Sequence, residues 1–388
     1  MRILHTADWH LGSRLYSHDR TDELFQQVKQ VCDIAKQHDV EVLLVAGDVF
    51  EKRGTALPEL TKKLAEILAP YIRAGMHVVL IPGNHDDREH FNMMNALLTL
   101  EQGQSERVHV VKTKNIFSIR NVQFAAVPYP LHEVLQPYRA EVRGSTERNV
   151  SLSTAYADLV RSVIDALNPT LPAVFIAHIN VAGVVTPSEH ELTYDEDIRL
   201  GRGDLPIASN LKYIALGHIH QSQKIDHPIP CYYSGSIERM NWGERDDEKQ
   251  INLIDIPEQG DAKVTSINLE TTPFYPLEVS NSQLQDLPSM YPDLDRSFVM
   301  VQVINDNGAD PASIYRVVKE ICPRQINIEV IGGDEKELRR RPVIHQKSYS
   351  ETVRGYLAER YKDDPDLPEL EKLTNQLIEE VENVASAD

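Results

Sequence analysis

Three short apolar runs, each ending in a polar cluster, constrain this 388-residue chain more than any other feature. They are "RILHTAD" at 2–8, "VEVLLVAGD" at 40–48 and "HVVLIPG" at 77–83, with helical patterns between them at 21–38 and 58–74. From 108 the pattern turns to strands: "VHVV", "NIFSIRNVQFAAVPY", "AVFIAHI", "YIALGHI", "CYYSGS", "QINLIDI" and "KVTSINLE", interrupted by a helical stretch at 151–167. Hairpin-spaced strands with helices between them predict an α/β fold, two stacked mixed β-sheets flanked by helices, over residues 1–270. Two prolines in "TTPFYP" at 271–276 break the pattern. "SFVMVQVIND", "DPASIYRVVKEI" and "QINIEVIGG" then read strand, helix, strand and predict a small second domain at 271–335. Residues 336–388 read as a linker and an acidic helical region, in which "DLPE" at 366–369 carries the N-cap carboxylate and N3 glutamate of a capping box.

Composition narrows the setting. Cys32, Cys231 and Cys322 lie far apart in no pairing pattern, which predicts small core residues in a reducing, cytoplasmic protein. No apolar run is long enough to span a bilayer, and "MRILHTADWHLG" lacks the long apolar core of a signal peptide. A net charge of −19 argues against broad, unaided binding to nucleic acid. It leaves room for a local basic groove, and for work beside a second subunit that grips DNA.

The polar strand ends hold the chemistry. They supply Asp8 and His10, then Gly47-Asp48, then Gly83-Asn84-His85-Asp86, then His178, then Gly217-His218 and His220. Singly, each has an ordinary reading as a turn or a hydrogen-bonded histidine. Together, the carboxylates of Asp8 and Asp48, the amide of Asn84 and the imidazoles of His10, His178, His218 and His220 form a donor set suited to manganese, iron or zinc. No cysteine joins them, which argues against a structural thiolate zinc site. In an extended strand, residues two apart face one side, which would let both members of Asp8/His10 and of His218/His220 reach one ion. So many ligands exceed one tetrahedral ion and suit two ions sharing a bridge. Asp48, alone after its strand, is the expected bridge.

In these residues the chain resembles the calcineurin-like metallophosphoesterases, whose pattern of DxH, GD, GNH[D/E], [G/A]H and GHxH stands here in order from Asp8 to His220. "MRILHTADWHLG", "VAGDVF", "GNHD", "YIALGHIH" and "YSGS" are similar to the SbcD-type nuclease subunits that process DNA ends. The likeness rests on strong motifs in residues 1–240 and is architectural after 270. It implies one metal on Asp8, His10, Asp48 and His220, and a second on Asp48, Asn84, His178 and His218, with two manganese ions expected. It also implies that His85 is catalytic, facing the scissile phosphate, and Asp86 is expected to orient the turn or His85 rather than to bind metal. Glu51 departs from the histidine that archaeal and eukaryotic relatives often carry there as a second phosphate-facing group.

The same likeness implies a capping role for 271–335 and a DNA substrate, with Arg14, Lys52, Arg53, Arg88, Arg199, Arg202 and Arg239 as loop cations beside the anion site. It implies a homodimer through apolar stripes at Leu60, Leu64, Ile67 and Leu68 and at Phe91, Met94, Leu97 and Leu98. It further implies an SbcC-like coiled-coil ATPase partner, bound through the stripe Leu370, Leu373, Leu377, Val381 and Val384. Competing readings are a phosphodiesterase or phosphatase acting on a small molecule or protein, and an inactive scaffold. The residues beyond 270 disfavour the first, and the intact donor set disfavours the second.

Overall fold

The three opening runs become the strands Arg2–Thr6, Val42–Ala46 and His77–Ile81, parallel neighbours in one sheet. The computed structural model describes residues 1–51, 57–100, 107–129, 145–184, 198–257 and 260–332. The first sheet has six strands, in the order Lys263–Asn268, Gln250–Asp255, Arg2–Thr6, Val42–Ala46, His77–Ile81, Val108–Val110. The second also has six: Gln223–Ile225, Cys231–Tyr233, Leu211–Gly217, Ala173–His178, Val122–Val127, Asn115–Ile119. The first sheet pairs antiparallel only on the side of Gln250–Asp255 and Lys263–Asn268, and the second at both edges, so both are mixed.

Side-chain alternation stacks the layers. Val42, Leu44 and Ala46 join Val79, Ile81, Phe124, Ala126, Val174, Ile176 and Ala215 in the apolar layer between the sheets. Leu43 and Val45 point the other way, into a cluster with Leu24, Phe25, Val28 and Leu64. Strands buried on both faces read as the unbroken apolar runs seen in the sequence. Helix Thr21–Gln37 buries Leu24, Phe25, Val28, Val31, Cys32 and Ala35 at three- and four-residue spacing. Its first-turn Asp22 and Glu23 and last-turn Lys36 complement its dipole. Helix Ser145–Ile164 covers the outer face of the second sheet through Leu152, Tyr156, Val160 and Val163. All three cysteines are free and buried, and burial pushes the Cys32 and Cys231 thiols up to about 12.

One expectation is corrected. In helix Leu57–Arg73, Leu60, Leu64 and Leu68 are buried in the chain's own core, with Ile67 packed against it. A surface helix needs one apolar face for its sheet, and this stripe is that face. In helix Arg88–Leu100, Phe91 is buried and Met94 packs on the same cluster, leaving Met93 and Leu97 exposed. Leu98 lies outside the described side chains.

By their contacts the described residues divide into two compact units, one within 1–276, 288–300 and 321–326, the other of 277–287, 301–320 and 327–332. A three-stranded sheet runs Phe274–Ser280, Phe298–Asn305, Gln325–Gly332, with helix Pro311–Ile321 between its last two strands in sequence. The expected strand, helix, strand is therefore present, preceded by a strand across the proline break. Pro276 is tolerated because Phe274–Ser280 is an edge strand. The apolar stripe at 370–384 and the loop cations Lys52 and Arg53 lie outside the described residues. Among the described residues, no helix is long and apolar enough to cross a membrane.

The core makes the protein acid-sensitive. His5 is fully buried, its Nδ1 2.9 Å from the Tyr213 hydroxyl, and burial holds its pKa down to about 3. The unfolded chain protonates His5 near its usual value, so between the two values the unfolded state binds more protons and stability falls as pH falls. The slope for one such histidine approaches about 1.4 kcal/mol per pH unit. His5→Asn is expected to flatten the pH dependence of unfolding free energy below about pH 6 by one proton's worth. Denaturant titrations at several pH values check this, and equal slopes in the two proteins would contradict it.

Candidate metal centre

Each donor of the motif sits just past the C-terminal end of a parallel strand, or on its last residue. Asp8 and His10 follow Arg2–Thr6, Asp48 follows Val42–Ala46, Asn84 and His85 follow His77–Ile81, His178 ends Ala173–His178, and His218 and His220 follow Leu211–Gly217. Open α/β sheets place their ligands at this end of the strands. The backbone there is not extended: Asp8, His10, Asp48 and His218 have φ of 53, 44, 51 and 100°. Strand alternation therefore does not bring Asp8 to His10 or His218 to His220, as the spacing alone suggested; left-handed turns past the strand ends do. Non-glycine residues adopt this region at a cost that clusters at functional sites. The glycines allow close approach. A Cβ on Gly83 would lie 2.1 Å from Asp48 Oδ1, and one on Gly217 would lie 1.9 Å from the Ala46 carbonyl.

All seven expected ligands converge. Asp8, His10 and His220 offer ligand atoms within 4.8 Å of one another, as do Asp8, Asp48 and His178. Asn84 Oδ1 lies 3.0 Å from His178 Nε2 and 3.1 Å from His218 Nδ1. Asp48 Oδ1 accepts the His85 backbone N–H at 2.8 Å, while Oδ2 lies 3.6 Å from His10 Nε2 and 3.3 Å from His178 Nε2. Asp48 thus stands between the two sets of donors.

The donor chemistry calls for cations. His10 Nε2 and His220 Nε2 are 3.1 Å apart, while their Nδ1 atoms face the carboxylates of Glu51 at 3.5 Å and Glu244 at 2.9 Å. A carboxylate only accepts, so each neutral ring keeps its proton on Nδ1 and turns a lone pair toward the other ring. Two lone pairs at that distance repel unless a cation lies between them. Adjacent ligands of an octahedral ion, with bonds of about 2.1 Å, are about 3 Å apart. His178 repeats the pattern: its Nδ1 donates to the Ala46 carbonyl at 2.8 Å, and its Nε2 faces Asn84 Oδ1. Burial disfavours the imidazolium, yet Asp48 and Asp8 hold His178 up to about 9. Burial also works against the Asp48 carboxylate, and His178, His10 and His85 pull it well below the usual range. Charge of this kind attracts a proton when no metal ion is bound. Oxygen and imidazole donors without thiolate fit hard or borderline divalent ions.

Around the donors stand residues whose roles the sequence left open. His85 Nδ1 donates to Glu51 Oε2 at 3.1 Å, turning the other ring nitrogen away from that carboxylate. This hydrogen bond, with Asp48 adding to it, raises His85 above the usual imidazole value against its partial burial. Asp86 accepts the backbone N–H groups of Gly83, Val49 and Phe50 at 2.9, 3.1 and 2.8 Å, so it ties two strand-end turns together, in keeping with its expected orienting role. Glu244, in the short turn Trp242–Glu244, carried no sequence signal. Tyr129, with its ring 6.1 Å from His178 and 6.0 Å from His218, was also missed. Of the loop cations, Arg202 is bound to the carbonyls of Ala182 and Gly183, and Arg239 to Thr271 and the Thr272 carbonyl. Both are tied into the frame rather than left loose for phosphate.

The family model for the calcineurin-like phosphoesterases matches residues 1–222, which include every strand end of the site, and the chain belongs to that family. Within it, the chain is similar to three relatives, each described as the D-type subunit of the nuclease SbcCD. It is 30% identical to that of Rhodobacter capsulatus over 275 residues, 66% of each chain. It is 26% identical to that of Escherichia coli strain K12 over 288 residues, 70% of this chain and 69% of that one. It is 28% identical to that of Bacillus subtilis strain 168 over 271 residues, 66% of each. The aligned segment thus covers about two thirds of each relative's length.

Proposed function

We propose that the chain is a metal-dependent DNA nuclease, the D-type subunit of an SbcCD-like complex that processes DNA ends. The observation that carries this reading is the convergence of two donor sets on Asp48, with His85 at their edge. The similarity to the D-type subunits of SbcCD nucleases supplies the substrate class. In this reading Asp8, His10, Asp48 and His220 hold one manganese ion, and Asp48, Asn84, His178 and His218 hold the other. Ions bound there supply Lewis-acid charge to a phosphate and activate water.

The chain's own residues do the rest. Asp48 balances the charge between the two donor sets. Asp86 fixes the turns that present Asp48 and Asn84, through the backbone of 49, 50 and 83. His85, held by its N–H on Asp48 and its ring on Glu51, protonates the leaving 3′ oxygen of the cleaved strand. Residues 271–335 act as a cap, and 344–388 dock on an SbcC-like coiled-coil ATPase. The homodimer, in this reading, uses the exposed Met93 and Leu97, because the leucines of helix Leu57–Arg73 are taken up in the core. The setting is cytoplasmic.

The test is a nuclease assay of the full chain on end-labelled duplex and hairpin DNA, with manganese. Manganese-dependent phosphodiester cleavage, abolished by a chelator, is the expected result. Hydrolysis of small phosphate esters with no cleavage of any DNA would favour the phosphatase reading instead.

A further inference from the structure

Glu244 is fully buried, yet it belongs to none of the motifs and lies beyond the matched residues 1–222. Its carboxylate is saturated. Oε1 accepts from His220 Nδ1 at 2.9 Å and from Asn241 Nδ2 at 2.8 Å. Oε2 accepts from the Met240 backbone N–H at 3.0 Å and from Lys249 Nζ at 2.6 Å. A carboxylate has about four lone-pair sites, so each oxygen is fully used and cannot rotate without losing partners. Lys249 is buried as well, and its Nζ also reaches the His220 carbonyl at 3.1 Å and Asp247 at 3.4 Å. The Ser236 N–H meets the same His220 carbonyl at 3.0 Å. The ring and the backbone of His220 are therefore gripped from one side by a single buried cluster.

We infer that Glu244 is the positioning residue for His220: it holds the imidazole proton on Nδ1 and aims Nε2 at the metal shared with His10, and Lys249 anchors it. The inference rests on the two-ion reading above. A ligand histidine needs its second nitrogen fixed, and a carboxylate there raises ligand basicity as well as setting orientation. His178, a fully buried member of the set, uses the Ala46 carbonyl for this purpose. A glutamine at 244 would keep the shape and reverse the chemistry. Its amide NH2 cannot face the Met240 N–H and the Lys249 ammonium, which only donate, so it turns to His220, where the Asn241 amide can flip to accept from it. There it donates to Nδ1 and moves the ring proton to Nε2, where the metal would bind.

The first readout needs no substitution. Nitrogen NMR of the metal-free full chain, with histidine labelled and at alkaline pH, should find His220 protonated on Nδ1; a ring protonated on Nε2 and not on Nδ1 overturns the inference. The second is manganese calorimetry on the wild type and on Glu244→Gln. The wild type should take up two ions, and the variant should bind one of them about 10- to 100-fold more weakly, with the other unchanged. Unchanged affinity for both ions, or equal weakening of both, overturns the role. If Glu244→Gln does not fold, the double variant Glu244→Gln/Lys249→Met removes the buried charges together and is judged on the same two affinities. A wild type that binds fewer than two ions would count against the two-ion reading, while the His220 tautomer would still decide the role of Glu244.

Discussion

Replacing Asp48 with alanine is expected to remove both metal ions and to silence the enzyme. Asp48 Oδ2 approaches donors of both sets, at 3.6 Å from His10 Nε2 and 3.3 Å from His178 Nε2. In the two-ion reading, its loss takes away the negative charge that would balance two divalent ions in a buried site. The expected fall in rate exceeds the roughly 10²- to 10³-fold that removal of one charge-stabilising donor costs. Calorimetry with manganese checks the binding, and an end-labelled DNA assay checks the rate. An inactive Asp48→Ala protein that still binds two ions would show that Asp48 acts in some way other than as a bridge.

His85→Leu separates catalysis from binding. His85 is hydrogen-bonded through its backbone to Asp48 and through its ring to Glu51, and its ring nitrogen lies within 4.8 Å of ligand atoms of Glu51 and His10, so the variant decides between acid and ligand. The variant should keep both ions and its affinity for DNA, and lose about 10²-fold or more in rate, the scale of a positioned acid. Glu51 helps hold the proton on His85 to higher pH than an ordinary imidazole would. Metal occupancy that collapses in His85→Leu would make it a ligand and end its role as the acid.

The sequence showed the donors because their placement is costly without a purpose. Asp8, Asp48 and His178 are polar groups at the ends of strands buried on both faces, and such groups need partners. The stacked sheets were legible in strand runs separated by helical patterns, and strands buried on both faces stay apolar throughout, so the runs did not reveal the strand order. Other features were beyond its reach. The left-handed backbone at Asp8, His10 and His218 depends on tertiary packing, so the two-residue spacing invited an argument from extended strands that the turns overturn. The stripe at Leu60, Leu64 and Leu68 looks the same whether it faces a sheet or a second copy of the chain; burial decides for the sheet. Glu244 meets His220 only because the short turn Trp242–Glu244 folds against it and Lys249 joins from the next strand's approach. No periodicity or motif marks such a meeting.

The most direct test of the account is the anomalous scattering of a crystal of the full chain grown with manganese. Two peaks about 3.5–4 Å apart are expected, the spacing of two-metal phosphoryl-transfer sites. One should lie between His10 Nε2 and His220 Nε2, the other among Asn84 Oδ1, His178 Nε2 and His218 Nδ1, with Asp48 Oδ2 reaching both. A single peak, or two peaks with no shared contact to Asp48, would contradict it.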